Sequence, residues 1–359
     1  MKKNKKILYA ASTASHLRRF HMPYIEALRE NAEVYLMATG EGVDFPITFA
    51  KSYFSLANFR SLFQIRKILK REKFDLLILN TTLTAFWIRA ALFGMRKRPY
   101  VLNVVHGYLF PLEGGGLKKK ILLLCERLMR KKTDDIAVMN KEDLETATRN
   151  KLCKKNVYFT FGMGLPNEYA KKAVASERDR YASEGQFLCT FVGELSKRKN
   201  QLFLIQAVEK LKEKGISVRL LLVGEGSERD VLQAEIARLG LENEVVLLGH
   251  SDEVPLILAA TDLYLSASES EGLPFNLMEA MAFGLPIVAS DVRGQRDLLL
   301  QKPEMLYPAG DMDAFCKAVT EVYESRRTGS GSREYPELEQ YYLQSVFDDN
   351  MKFLTKGLE

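Results

Sequence analysis

Short apolar runs rich in Val, Ile and Leu alternate with amphipathic stretches along the whole chain, and the alternation begins again near the middle. In the first half the apolar runs predict strands at residues 6–11, 34–38, 76–79, 100–105, 135–139 and 157–161. In the second half they predict strands at residues 186–192, 218–223, 245–248, 262–266 and 286–289. Strands separated by helices form parallel sheets covered on both faces. The pattern therefore predicts an α/β fold with two doubly wound, Rossmann-like domains.

The amphipathic stretches between these runs predict the helices. They lie at about residues 23–30, 60–72, 84–93, 117–131 and 141–149 in the first half. In the second half they lie at about residues 200–214, 227–239, 254–259, 274–283 and 313–323. A last helix is predicted at about 337–354, after the polar stretch 325–333.

The length of 359 residues is too great for one core and suits two domains. Two glycines and a proline interrupt the pattern at residues 162–167, which predicts the boundary. We therefore expect a first domain at 1–165, with a helix at about 340–359 packing back on it, and a second at 166–339. Two such domains are expected to face each other across a cleft, where the loops after the strands bind ligands.

Composition excludes several classes of protein. The chain is 47% hydrophobic and 27% charged, as globular proteins are, and its four cysteines form no CxxC pair. Its apolar runs are shorter than the roughly 18 residues of a membrane span, and residues 7–11 are too short for the core of a signal peptide. These features predict a cytoplasmic protein with free thiols.

Charge is distributed unevenly. Residues 1–165 carry 30 Lys and Arg against 14 Asp and Glu, a balance of +16, whereas residues 166–359 carry 22 against 32, a balance of −10. A basic half indicates an anionic partner, for which DNA, RNA and an anionic membrane surface all fit. The alternative is two solvated surfaces of unequal sign.

The segment Glu271-Gly-Leu-Pro-Phe-Asn-Leu-Met-Glu279 follows a predicted strand. Pro274 suits the first turn of a helix, and the backbone at Gly272, Leu273, Pro274 and Phe275 would form the helix start, a site for a phosphate. Glu279 would accept hydrogen bonds from ribose hydroxyls, and Glu271 would face the group beyond the phosphates. The alternative is that each glutamate is a solvated surface residue.

Glu271 and Glu279, with Gly284-Leu-Pro286 behind them, resemble the EX7E motif of GT-B, family-4-type retaining glycosyltransferases. Within that group the chain resembles the bacterial enzymes that build exopolysaccharide and capsule repeat units. It covers essentially the whole chain. It implies the GT-B architecture and transfer of a sugar from a nucleotide donor, without a metal or other cofactor and with retained anomeric configuration.

The resemblance also assigns roles at the end of the first strand of the second domain. The loop reads Gly193-Glu194-Leu-Ser-Lys197-Arg198-Lys199. Gly193 and Lys199 match the residues of the family that bind the donor diphosphate. Glu194 stands where the family has an arginine, so either Lys197 or Arg198 substitutes for it or the clamp is weaker.

Histidines supply further candidates. His106, directly after a predicted strand, matches the family position that contacts the donor sugar, and His250, after another, lies in the loop that borders the base. We therefore expect His106, Lys199 and Glu271 to act in catalysis. His16 and His21 are as consistent with capping or packing.

Two other segments are expected to be structural. Residues 293–297 would brace the donor loop, and Gly162-Met-Gly164 resembles the interdomain turn of the family. Asp311-Met-Asp313 spells the DxD metal signature of the other major glycosyltransferase fold, but it precedes a predicted helix, where aspartates are caps. No metal site is predicted.

Residues 117–132 predict a basic amphipathic helix. Its apolar stripe consists of Leu117, Ile121, Leu124, Cys125 and Leu128, with lysines and arginines at both ends. Such a helix either binds an anionic membrane surface or packs against the core. The basic first half and a family that uses lipid-linked acceptors favour the membrane, and the lack of a nucleic-acid motif excludes DNA and RNA.

Together these features predict a retaining glycosyltransferase at the inner face of the cell membrane. It would move a hexose or N-acetylhexosamine from a nucleotide sugar, with UDP as the expected nucleotide, to a polyprenyl-diphosphate-linked saccharide. A nucleotide-sugar epimerase or hydrolase, or a non-catalytic subunit of a polysaccharide assembly complex, remains an alternative.

Overall fold

The computed structural model describes residues 5–49, 55–110, 116–166, 169, 177–327 and 334–359. The chain forms two compact units, the first of Met1–Gly164 with Leu343–Glu359 and the second of Leu165–Tyr342. The division falls one residue before the predicted boundary at 165. Residues 340–342, expected with the first domain, belong to the second unit.

The first unit is built on a parallel sheet of seven strands in the order β3-β2-β1-β4-β5-β6-β7. The strands are β1 Lys6–Thr13, β2 Glu33–Thr39, β3 Phe45–Pro46, β4 Leu76–Asn80, β5 Tyr100–Val105, β6 Asp135–Val138 and β7 Val157–Phe159. The helices are α1 Ala14–Phe20, α2 Met22–Arg29, α3 Leu56–Glu72, α4 Thr82–Ala91, α5 Leu117–Met129, α6 Lys141–Arg149 and, after the second unit, α13 Leu343–Thr355. All five residues of the central strand β4 are buried, as expected for a sheet covered on both faces.

Buried polar contacts attach α13 to the rest of the first unit. Asn350 Nδ2 donates to Tyr24 Oη at 2.8 Å and to the Gly162 carbonyl at 2.9 Å, and Thr160 Oγ1 donates to Asn350 Oδ1 at 2.6 Å. Gly164 has φ +86°, and a Cβ on it would lie 2.5 Å from Leu343 Cα. This close approach explains the glycine at the turn between the units.

The second unit contains a parallel sheet of six strands in the order β10-β9-β8-β11-β12-β13. The strands are β8 Phe187–Val192, β9 Val218–Val223, β10 Val245–Gly249, β11 Leu263–Ser266, β12 Ile287–Ser290 and β13 Leu306–Tyr307. The helices are α7 Gln201–Glu213, α8 Arg229–Leu239, α9 Val254–Ala260, α10 Phe275–Ala282, α11 Gln295–Leu298 and α12 Met312–Arg327. A core of Leu, Val, Ile and Phe residues, with Phe191, Leu204 and Phe315 fully buried, joins the sheet to α7 and α12.

Four short elements were not predicted. Strands β3 and β13 have two residues each and helix α11 has four, too few to show a period. Helix α1 follows β1 directly, and Thr13 caps it by accepting from the His16 amide at 3.2 Å. The sequence predicted no helix between residues 11 and 23.

The last predicted helix, 337–354, is also corrected. Residues Pro336–Tyr341 form a 3₁₀ helix in the second unit, and α13 begins only at Leu343, in the first. The described helices include none with both the length and the apolar character needed to cross a bilayer.

Candidate functional site

Strand order places the EX7E segment and the Gly193–Lys199 loop side by side. From β8 the chain continues to β9 and β10 on one side of the sheet, and it later crosses back to β11, β12 and β13 on the other. The switch point between β8 and β11 is where ligands bind in open parallel sheets. Residues 193–200 follow β8 and residues 267–274 follow β11. Both segments thus lie at the carboxyl ends of the two strands that flank the switch point.

The loop after β8 packs against the loop after β9 through glycines. Gly193 N–H donates to the Val223 carbonyl at 2.8 Å. A Cβ on Gly224 would lie 2.0 Å from the Gly193 carbonyl oxygen, and one on Gly226 would lie 2.0 Å from that of Leu195. Sequence analysis overlooked Gly224 and Gly226. The repeat of Val-Gly-Glu at 192–194 and 223–225 was the signal that could have identified them.

Glu271 is the centre of a buried ionic cluster. Its Oε1 lies 2.6 Å from Lys199 Nζ and its Oε2 lies 2.9 Å from Arg198 Nη1. Arg198 Nη1 also donates to the Ser270 carbonyl at 2.7 Å, which attaches the β8 loop to the β11 loop. The alternative that Glu271 is a solvated surface residue is wrong, because its side chain is only 6% exposed.

The cations determine the ionisation of Glu271. Burial alone would raise the pKa of this carboxyl, but the positive charges of Lys199 and Arg198 outweigh it and hold the pKa below the ordinary value of 4.5. Lys199 and Arg198 are thus two cations that contact this carboxylate at the switch point. Burial lowers the pKa of Lys199, and the charges of Glu271 and Glu194 oppose this effect because they favour the protonated amine. Glu194 stands in place of the expected arginine.

Glu279 lies in the second turn of α10 and is buried, with 3% exposure, so it too is not a solvated residue. Helix α10 begins at Phe275, and Pro274 precedes it as the N-cap, with φ −79° and ψ 104°, rather than occupying the first turn. The Leu277 and Met278 amides donate to the Pro274 carbonyl at 3.1 and 3.3 Å. Gly272 and Leu273 are therefore in the loop before the helix.

Two residues that sequence analysis did not select hold α10 against β8. Asn276 Nδ2 donates to the Val192 carbonyl at 2.6 Å. The buried Tyr264, on β11, has its Oη 3.4 Å from the Val192 backbone, and the charges of Glu271 and Glu279 both act on it. Burial and these charges raise the Tyr264 pKa, so its hydroxyl remains protonated and available as a donor.

The segment after β12 braces the β11 loop, as predicted. Arg293 Nη2 lies 3.4 Å from Ser270 Oγ. Gly294 has φ +77°, and a Cβ on it would lie 2.4 Å from the Gly272 carbonyl oxygen. Gln295 contacts Ser290, whose hydroxyl donates to the Ser268 carbonyl at 2.6 Å.

Two other predicted features of the second unit lie on its surface. The side chain of His250 is 75% exposed and lies 3.3 Å from Asp252, in the loop after β10. Asp311 Oδ1 accepts from the Ala314 amide at 2.9 Å at the start of α12, which confirms the prediction that this DxD sequence is a helix cap.

In the first unit, His106 lies in a group of three histidines. His16, on α1, His21, between α1 and α2, and His106, after β5, each place one ring nitrogen within 4.8 Å of the other two. The Nε2 atoms of His16 and His21 are 3.3 Å apart, and His106 Nε2 is 3.3 Å from Asn80 Oδ1. His16 and His21 therefore contact His106, and no local sequence pattern predicts these contacts.

Helix α5 presents its apolar stripe to solvent. The four stripe residues Leu117, Ile121, Leu124 and Leu128 are 76%, 41%, 55% and 56% exposed. Cys125, predicted on the same stripe, is instead half-buried and packs against the core. The alternative of a stripe that faces the core is therefore wrong for the four exposed residues.

Comparison with known proteins finds a family match within the second unit and relatives that align with most of the chain. Residues 173–337 match the family model described as glycosyl transferases group 1. The chain is 28% identical over 334 residues to a Bacillus subtilis protein that carries the name glycosyltransferase EpsD, covering 89% of this chain and 87% of that one. It is 26% identical over 296 residues to the UDP-Gal:alpha-D-GlcNAc-diphosphoundecaprenol alpha-1,3-galactosyltransferase of Escherichia coli, covering 78% and 74% of the two chains.

Among solved structures the chain resembles Anabaena HepE, crystallised in complex with UDP and glucose. The TM-score is 0.73 at 18% identity, over 98% of this chain and 100% of that one. At this identity the likeness bears on the fold, which is that of the GT-B glycosyltransferases. The chain thus has this fold, and residues 173–337, within its second unit, match the family model of group 1 glycosyltransferases.

Proposed function

We propose that this homologue of group 1 glycosyltransferases transfers a hexose or N-acetylhexosamine from a UDP-sugar to a polyprenyl-diphosphate-linked saccharide, with retention of the anomeric configuration. The observation that carries the proposal is the ionic cluster at the β8/β11 switch point, in which the buried Lys199 and Glu271 pair with each other and the more exposed Arg198 contacts Glu271. The Escherichia coli relative, named for a UDP-galactose donor and a diphosphoundecaprenol acceptor, supports the choice of substrates.

In this proposal the donor diphosphate binds beside Lys199 and Arg198. Transfer breaks the bond between the anomeric carbon and the diphosphate oxygen, so negative charge develops on the leaving UDP. Lys199 and Arg198 stabilise that charge. Because Glu271 fixes both cations before the donor arrives, little reorganisation is needed at the moment of reaction. No metal is required to bind the diphosphate.

The other site residues are assigned to the rest of the donor. Glu279 accepts hydrogen bonds from the ribose hydroxyls, and the loop at Gly272 and Leu273 and the start of α10 bind phosphate oxygens. Gly193 permits the close approach of a phosphate, and His250 borders the base. Glu271 contacts the sugar. The leaving phosphate accepts the proton of the acceptor hydroxyl, so no side chain is needed as a general base.

The acceptor is proposed to be reached at the inner face of the membrane through α5. Its four exposed apolar residues bury in the headgroup region, and Lys119, Lys120 and Arg127 on the same helix attract anionic lipids. The net charge of +16 over residues 1–165 also favours binding to anionic lipids.

The test is a transfer assay with purified protein in EDTA. Labelled UDP-glucose, UDP-galactose and their N-acetylhexosamine counterparts are each supplied with a polyprenyl-diphosphate-linked saccharide, and the product anomer is assigned by NMR. We expect one donor to be used, an α-linked product from the α-linked donor, and a rate at least about 100-fold lower for Glu271→Gln.

The alternatives predict different results. Turnover of a donor without acceptor would support the epimerase or hydrolase. No turnover with any donor, although UDP binds, would support a non-catalytic subunit, the reading favoured by Glu194 in place of an arginine. An inverted product would overturn the retaining mechanism alone.

A further inference from the structure

Three of the four histidines of the chain lie together in the first unit, at the carboxyl ends of three neighbouring strands. His16 follows β1 on α1, His106 follows β5, and Asn80, which contacts His106, is the last residue of β4. In the sheet these strands are adjacent and parallel in the order β1-β4-β5, and the order in which strands are added to the sheet switches sides between β1 and β4. The cluster therefore occupies the switch point of the first sheet, the position where such sheets bind ligands.

We propose that His16, His21 and His106 form a binding site for a divalent transition metal of the Zn²⁺ type. Three histidine ligands with an open fourth position are a common zinc arrangement in proteins. With Zn–N bonds of about 2.0–2.1 Å, tetrahedral geometry places ligand nitrogens about 3.3–3.4 Å apart. The His16 and His21 Nε2 atoms are already 3.3 Å apart, and the third ring nitrogen lies within 4.8 Å of both.

Neighbouring groups orient two of the rings as metal ligands require. Ligating histidines usually donate the second ring N–H to a fixed acceptor. Asn80 Nδ2 donates to the Ala10 carbonyl at 3.1 Å, so its Oδ1 accepts from His106 Nε2 and leaves His106 Nδ1 unprotonated. Tyr9 Oη lies 2.9 Å from His21 Nδ1 and can accept its proton, which leaves His21 Nε2 facing His16 Nε2.

Burial favours the neutral rings that bind a metal. It lowers the pKa of His16 to about 4 and those of His21 and His106 well below the ordinary value, so all three imidazoles are uncharged at neutral pH. His21 is fully buried, whereas His16 and His106 are partly exposed. The exposed side leaves the fourth position open to water or to an oxygen of a ligand. The proposed partners of the donor diphosphate are in the second unit, and His106, which the resemblance assigned to the donor sugar, is assigned here to the metal.

The experiment uses the full chain, freed of metal with EDTA and desalted, and titrated with Zn²⁺ alone by calorimetry. The fourth histidine supplies a matched control, because His250 is exposed and lies beside Asp252 in the second unit. We expect one Zn²⁺ per chain in the wild type and in His250→Ala. In His16→Ala and His106→Ala the affinity should fall by about 100-fold or more, and in Tyr9→Phe by about 10-fold.

Co²⁺ serves as a spectroscopic probe, and thermal melting establishes that each variant is folded. Intense visible absorption of the Co²⁺ form, lost in His16→Ala, is the signature of a low-coordinate site at this cluster. The proposal is overturned if the wild type binds no Zn²⁺ saturably, or if His16→Ala binds it as tightly as the wild type. Loss of binding in His250→Ala instead would assign the metal to the surface pair and would overturn it as well.

Discussion

Lys199 Nζ lies 2.6 Å from Glu271 Oε1, and the two side chains are 9% and 6% exposed. The residues are 72 positions apart in sequence and follow the neighbouring strands β8 and β11. This ion pair joins the two loops at the switch point of the second sheet, so its integrity affects both stability and the proposed donor site.

Breaking the pair on one side should destabilise the second unit. We expect Lys199→Met to lower the free energy of unfolding by roughly 3 kcal/mol, because the buried Glu271 then keeps, among the described residues, only the more exposed Arg198 as a cation partner. In Lys199→Met/Glu271→Leu, with both charges removed, most of the loss should be recovered. Calorimetric unfolding measures the stability of both variants.

Lys212→Met, which breaks the more exposed pair with Glu244, is the control and should lower the free energy of unfolding by less than about 1 kcal/mol. Equal losses in Lys199→Met and Lys212→Met would contradict the prediction.

The same cluster predicts a pH dependence. The pKa of Glu271 is lower in the folded protein than its ordinary value of 4.5, so the carboxylate stabilises the fold above about pH 4.5. That stabilisation is lost as pH falls below 4.5 and through the lower folded-state pKa, because the unfolded chain takes up the proton first. The stability difference between wild type and Glu271→Gln, measured by urea denaturation, should therefore shrink in this range. A difference that stays constant down to about pH 3 would disprove the assignment.

Gly294 tests the bracing of the donor loop. Gly294→Ala and Gly310→Ala both place a Cβ at a left-handed φ, +77° and +83°, and each should cost about 1–2 kcal/mol for that reason. The Cβ of Gly294→Ala would lie 2.4 Å from the Gly272 carbonyl oxygen. The Cβ of Gly310→Ala would have no described atom within 4 Å other than those of its chain neighbours. We expect UDP affinity to fall at least about 10-fold in Gly294→Ala alone. Equal UDP affinities by calorimetry in the two variants would show that the brace does not affect binding.

Membrane binding by α5 is testable with vesicles that contain anionic lipid. Burying one leucine is worth about 1.5–3 kcal/mol, so Leu124→Gln/Leu128→Gln should weaken sedimentation with vesicles by more than about 10-fold. Leu300→Gln is the control, since Leu300 is 56% exposed, as Leu128 is, but lies in the acidic second unit. Binding should also weaken with added salt. Unchanged sedimentation of the α5 variant would exclude this helix as the membrane contact.

The sequence predicted the two doubly wound sheets because their strands are buried on both faces and read as continuous apolar runs. It also selected Glu271 and Glu279, since their spacing and the loop between them lie within one short segment. Elements of two to four residues, such as β3 and α11, were missed because they show no periodicity. The break at Tyr342 was missed because both sides of it are compatible with a helix.

Contacts between distant segments could not be predicted. Lys199 was expected to bind phosphate and Glu271 the sugar, but no local pattern indicates that two side chains 72 residues apart form an ion pair. The histidine cluster could not be predicted for the same reason, since His16 and His106 come into contact only after β1, β4 and β5 are aligned in one sheet. The exposed face of α5 was ambiguous too, because an apolar stripe does not specify what covers it.

Nucleotide binding tests the central claim most directly. UDP, GDP and ADP are titrated by calorimetry in EDTA into the wild type and into Glu279→Ala, whose fold is checked by thermal melting. We predict saturable binding of UDP without metal, and a loss of at least about 10-fold in Glu279→Ala, because the buried carboxylate no longer accepts the ribose hydroxyls. Preference for GDP or ADP would change the proposed nucleotide of the donor and leave the assignment of the donor site unchanged. No binding of any nucleotide, or UDP binding that Glu279→Ala leaves unchanged, would contradict the proposed donor site.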